Sequence, residues 1–211
     1  MAKLNALTTA GVINAEGFYR VGGRTAIDFA NSVKRFGKEG DGLEELDELL
    51  SFLKSMDHLH EEDASSYHMY LFQNPERCQQ LMEELREIRG RFAGILDQAS
   101  NGWPIDPSFV GNLNELLARY QTRLQMEPSE DGYAVKVELV EQGPEQLLYP
   151  ILKDIAEFLA SDQLEKIRQC ASDTCDLYFV NQSRNGRRRW CSMSTCGNRA
   201  KVNAYLKRKE D

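Results

Sequence analysis

The residues that decide this chain's architecture read Cys170-Ala171-Ser172-Asp173-Thr174-Cys175 and, after a spacer of fifteen residues, Cys191-Ser192-Met193-Ser194-Thr195-Cys196. Each C-x4-C pair lets one tight turn bring two sulfurs to a single ion, and four thiolates at about 2.3 Å satisfy tetrahedral Zn²⁺. The segment is too short to build an apolar core of its own, so the metal has to organise it. The spacing therefore implies one structural Zn²⁺ on Cys170, Cys175, Cys191 and Cys196. A site closed by four cysteines leaves no open position for catalysis.

The spacer suggests how the chain returns. Leu177-Tyr178-Phe179-Val180 is an aromatic and β-branched run, Asn185-Gly186 is a hairpin-type turn, and Arg187-Arg188-Arg189-Trp190 is a second short run. Together they predict a β-hairpin. Beyond Cys196, Val202, Tyr205 and Leu206 recur at helical spacing. Knuckle, hairpin, knuckle and helix are the parts of a treble-clef-like zinc fold. A disulfide framework is the weaker reading. No signal peptide or membrane-length apolar segment is evident, so a reducing cytoplasm is expected, where clustered cysteines ligate metal. Cys78 stands apart and reads as a lone, half-buried thiol.

Charge divides the chain in two. Its 211 residues carry a net charge of -7, but residues 165–211 hold 11 Lys or Arg against 5 Asp or Glu, giving +6, and the remainder holds 15 against 28, giving -13. Four thiolates and one zinc ion reduce the positive part to about +4. A basic, metal-held module joined to an acidic domain points to a polyanion partner, met by the finger and repelled by the rest.

Upstream, hydrophobic periodicity predicts helices over residues 25–36, 43–56, 75–98, 107–126 and 144–160. Pro75 suits the first turn of the third. Residues 133–139 alternate apolar and polar, the pattern of a half-buried strand, with Phe18-Tyr19-Arg20-Val21 or another short extended piece as the expected partner. Ser161-Asp162 reads as the cap of a short helical connector reaching Arg168. The fold class is mainly α with a small β element: an α-helical domain over residues 1–161 and the zinc finger over 162–211.

These residues match a family pattern. Phe179, Ser183-Arg184-Asn185, Arg188-Arg189-Trp190-Cys191-Ser192-Met193 and Thr195-Cys196-Gly197-Asn198-Arg199-Ala200-Lys201, with the first cysteine pair, resemble the CGNR zinc finger. Gly22-Gly23, Ile27-Asp28-Phe29-Ala30-Asn31-Ser32, Leu85-Arg86-Glu87-Ile88-Arg89 and Leu113-Asn114 are similar to the ABATE domain that precedes this finger in bacterial proteins. The resemblance implies a stress-responsive bacterial transcription regulator, with the finger as its DNA-binding part and the larger domain as sensor.

Candidate contacts follow from geometry. If residues 187–190 form a strand, Arg187 and Arg189 share one face while Arg188 and Trp190 share the other. Arg184 lies at the turn, and Lys201 and Arg208 share one side of the last helix. These six cations form the expected nucleic-acid surface. Arg199 falls on the wheel beside Val202 and Leu206, the side expected to pack, so Arg199 and Asn198 are read as supporting the knuckle or offsetting thiolate charge. Asp28 and Asn31, three apart on one helical face, could hold a polar effector, although capping or an internal salt bridge with an arginine is the commoner use of such a pair. His58 and His60 diverge on a helix and make no second metal site. No nucleophile and base are paired, so an enzyme is not expected. DNA binding is the leading function, and one small finger has so little area that useful affinity calls for a homodimer or a partner. RNA binding, with Tyr178 or Trp190 stacking on bases, and a zinc-dependent protein adapter with a metabolite-binding domain are the alternatives.

Overall fold

The computed structural model describes residues 12–34, 36, 37, 39–129, 132–140 and 143–210. Helices dominate: α1 (Thr25–Asn31), α2 (Leu46–Ser55), α3 (Glu61–Gln73), α4 (Pro75–Ser100), α5 (Pro107–Leu117) and α6 (Tyr149–Leu159) surround one core. Two-stranded sheets are formed by β1 (Thr122–Ser129) with β2 (Gly132–Leu139) and by β3 (Ile167–Gln169) with β4 (Tyr178–Val180), and α7 (Asn198–Glu210) ends the described chain.

Local chemistry explains the helices. Pro75 and Pro107 open α4 and α5, and Asp106 accepts from the Ser108 amide at 2.9 Å. Glu45 and Glu48 form a capping box on α2. Leu81, Leu85, Ile88, Phe92 and Ile95 recur every three or four residues and turn one stripe of α4 inward. Phe92 meets Phe158 of α6 edge to face with ring centres 6.1 Å apart, and Phe18 meets Phe52 of α2 at 5.3 Å.

Several expectations are corrected. The helix predicted over 107–126 stops at Leu117, and residues 122–129 become the partner of the 133–139 strand. Leu117, Tyr120 and Leu124 imitate a helical stripe, but Thr122, Leu124, Met126 and Pro128 also alternate, and β2's backbone needs a ladder that its nearest neighbour supplies. Phe18 to Val21 therefore does not pair with β2; Tyr19 makes one isolated bridge, to Ile13. Helix α1 ends at Asn31, short of residue 36. The 161–168 connector is a single 3-10 turn (Leu164–Lys166) leading into β3. Helix α3 has no counterpart among the predicted helices, because its acidic first turn precedes a stripe of which only Ala64 and Leu71 are buried.

Candidate metal centre and cationic surface

The four cysteine sulfurs lie within 4.8 Å of one another. A tetrahedron with zinc–sulfur bonds of about 2.3 Å places its sulfurs about 3.8 Å apart. The Sγ atoms of Cys175 and Cys191 are 3.8 Å apart and those of Cys191 and Cys196 are 3.7 Å apart. The donor set thus fits one closed zinc site. Sulfurs this close oppose one another's ionisation: hydrogen bonds from Cys175 and Cys191 hold Cys170 down to about 2, whereas Cys175 is pushed up to about 12, chiefly by its bond to Cys170, and Cys191 is also raised. Only a bound cation lets all four be thiolates together.

The frame around the sulfurs differs from the expected hairpin. Strand β4 pairs with β3, so the hairpin encloses the first knuckle, with Ile167 opposite Val180 and Gln169 opposite Tyr178. Residues 187–190 form no strand. Asn185-Gly186 does turn the chain, with Gly186 at φ +64 and its amide 3.0 Å from the Ser183 carbonyl. The loop is held from inside by Asn181, which is 6% exposed. Its amide donates to the carbonyls of Gly186 at 2.7 Å and Arg188 at 3.2 Å, and its oxygen accepts from the Ser183 hydroxyl at 2.6 Å.

Arg184, Arg187 and Arg189 project from this stapled loop and are exposed. Arg188 turns inward instead. Its guanidinium stacks 4.2 Å from the Phe179 ring centre, donates to the Trp190 carbonyl at 3.0 Å and bonds the Cys191 carbonyl. Burial lowers its pKa while Cys191 and Cys170 pull it back up, so Arg188 is the cation set against the sulfur charge. Arg199 reaches the knuckle through the Thr174 hydroxyl at 2.6 Å, and Asn198 bonds the Ser194 carbonyl at 3.3 Å. The side of α7 expected to pack does not: Val202, Tyr205 and Leu206 are all more than half exposed. Lys201, Lys207, Arg208 and Lys209 are exposed as well, leaving α7 a free-standing basic helix.

Asp28 and Asn31 are not open to an effector. Asp28 is buried and its Oδ1 accepts from the amides of Gly22 at 2.7 Å and Val21 at 3.1 Å. Burial pushes its carboxyl up to about 7, against the pull of those bonds. Asn31 grips β4: its amide donates to the Tyr178 carbonyl at 2.9 Å and its oxygen accepts from the Tyr178 amide at 2.8 Å. The Val180 amide bonds the Gly22 carbonyl at 3.0 Å. A side chain on Gly22 would strike Ile27 at 2.6 Å and Asp28 Oδ1 at 2.8 Å, which is why glycine stands there. Val12 and Val21 are buried with three of the cysteines, Leu177 and Phe179, and Tyr19 packs against them. Helical domain and finger thus share one seam, which no local pattern in the sequence announced.

Among the described residues no helix is long and apolar enough to cross a membrane, and these four cysteines are the one cluster of metal-binding side chains. Such a site defines a zinc-finger protein. Comparison with family models agrees: residues 166–209 match the CGNR zinc finger, and residues 23–162 match the ABATE family, described as "Putative stress-induced transcription regulator". The chain belongs to the ABATE family and carries a CGNR finger. A search of curated proteins finds no match.

Proposed function

We propose that this protein is a DNA-binding transcription regulator whose finger grips the phosphate backbone through Arg184, Arg187 and Arg189 of the stapled loop and Lys201 and Arg208 of α7. The observation that carries this reading is the terminal helix, cationic and exposed from Lys201 to Lys209, beside a loop that holds three more cations out to solvent. Beyond the Arg199–Thr174 contact near its start the helix buries little, and a helix with so little packing is marginal in water and gains from lying along a polyanion. Arg188 leaves the expected contact set, because its donors are taken by carbonyls of the finger itself. Duplex DNA is favoured over single-stranded RNA because the candidate stacking rings are occupied. Tyr178 packs against the helical core, and Trp190 is only half exposed, with Arg189 5.2 Å from its ring centre.

The test is fluorescence anisotropy of the zinc-loaded chain on random-sequence duplex DNA, with single-stranded RNA as competitor, across a salt series. Binding should weaken with a log–log slope of about -0.9 per phosphate contacted, and Arg187→Ala or Arg189→Ala should each reduce that slope by about one. Salt-insensitive binding, or no binding at low salt, would rule the reading out.

A further inference from the structure

The β1–β2 hairpin sorts its side chains with unusual strictness. In the observed register Thr122 faces Leu139, Leu124 faces Val137, Met126 faces Val135 and Pro128 faces Tyr133. Alternation puts all eight on one face. The other face carries Arg123, Glu127, Lys136 and Glu138, where Arg123 bonds Glu138 at 3.1 Å and Lys136 bonds Glu127 at 3.2 Å. Such a ribbon ordinarily lays its apolar face on a core. Here Leu124 and Tyr133 are each 75% exposed, Met126 68% and Val135 65%.

We propose that this face is a homodimer interface, formed when the hairpins of two copies pack face to face about a two-fold axis. Three observations favour a second copy as the occupant. First, the face is continuous over four residue pairs and five of its large apolar side chains, Leu124, Met126, Tyr133, Val135 and Val137, are 43–75% exposed, a patch of the extent that one copy contributes to a small two-fold interface. Second, the described strands carry two cations and two carboxylates, joined in ion pairs, so they add no net charge. The apolar face itself therefore presents no charged side chain of the described strands to a second copy, although Glu130 and Asp131 between the strands give the 122–139 segment a net charge of -2. Third, stacking two such ribbons converts two-stranded sheets that are marginal alone into a four-stranded sandwich with a dry centre, and one self-complementary patch satisfies both copies. The inference does not depend on DNA binding, because its readout is molecular mass.

Sedimentation velocity of the zinc-loaded full chain without nucleic acid should show a reversible monomer–dimer equilibrium in the micromolar range. Raising the salt should leave it unchanged or tighten it, as expected of apolar burial. Leu124→Glu with Val135→Glu should weaken the dimer by at least about 100-fold, since both copies then bury charges. Arg123→Gln on the opposite face should leave it intact. The thermal midpoint and zinc content of each variant show that the body of the protein is unaltered. A wild-type chain that stays monomeric throughout that range overturns the proposal and leaves the face to a different protein. A dimer that survives the double substitution also overturns it, because the copies then meet elsewhere.

Discussion

Replacing Asn31 with alanine tests how the finger is held. The side chain is 4% exposed and makes two hydrogen bonds of opposite sense to the backbone of Tyr178, at 2.9 and 2.8 Å. Alanine removes both and leaves an N–H and a C=O of β4 without partners in a seam that water reaches poorly. Losing two net bonds of about 1 kcal/mol each, and stranding both backbone groups, gives an expected cost of about 2–4 kcal/mol. For a chain of this size that is a fall of about 5–15 °C in Tm. Scanning calorimetry with zinc held saturating is the assay, because free zinc concentration otherwise shifts the midpoint by mass action. Asn31→Asp sharpens the experiment. It keeps the acceptor for the Tyr178 amide but turns a second acceptor toward the Tyr178 carbonyl, so at neutral pH it should cost at least as much as alanine. Protonating the buried carboxyl restores a donor, so its deficit should shrink on acidification. A midpoint for Asn31→Ala within about 2 °C of the parent would refute the reasoning and mean that packing alone seats β4.

Three further outcomes follow from the same seam and the metal site. Because burial raises the Asp28 carboxyl to about 7, the folded state keeps a proton that the unfolded chain has released, and stability should fall as pH rises from about 4 to about 7. Asp28→Asn preserves the Oδ1 acceptor and cannot ionise, so urea midpoints should be flatter with pH and higher at alkaline pH; the same slope in both proteins would contradict this. Stripping zinc with a strong chelator should abolish the fixed environment of Trp190 in near-ultraviolet dichroism while α1–α6 keep most of the far-ultraviolet helical signal, and unchanged spectra and midpoint would deny the metal its structural part. Gly22→Ala should lower stability by about 1–3 kcal/mol in denaturant unfolding, since its Cβ has no free volume against Ile27, and a neutral result would show that the α1 entry is loose.

What was legible in the sequence was local and periodic. The cysteine spacing points to the metal ligands because two short loops leave the sulfurs few other arrangements, and α4 is readable because its apolar stripe repeats from Leu81 to Leu96. The errors fell where two periods overlap or where a partner is distant. Residues 117–126 fit both a helical stripe and an alternating strand, and the need of β2 for a ladder decided between them. Strand β3 is three residues long, too short to announce itself, so the sequence instead offers the arginine run that follows β4 as the partner of that strand. Asp28 and Asn31 stand out in the sequence as polar residues on an apolar helical face, but their partners are backbone groups that no spacing reveals, Val21 and Gly22 in the preceding turn for Asp28 and the distant Tyr178 for Asn31. Asn181, which shapes the arginine loop, gave no signal beyond being an Asn near a turn.

The seam also bears on how a signal or an orientation can pass between the two family regions. Ile167 and Val180, paired across β3 and β4, belong to the main helical core, while Val12 and Val21 belong to the cluster around the cysteines. Each region therefore completes the other's interior. Lys34 adds an ion pair to Asp176 at 2.7 Å, but both side chains are more than half exposed, so this contributes little beside the buried exchange. With the finger seated in this way, the direction in which α7 and the arginine loop face is fixed by packing against the helical domain, not by a tether. A change in the helical core that moved α1 would pull on Asn31 and on the neighbouring Gly22, whose bonds hold the edge of β4 that faces away from β3, and would reach the first knuckle within one strand. In a dimer joined through the β1–β2 hairpins, the same rigidity would set the distance between two cationic surfaces and hence which spacing of phosphates they could grip together.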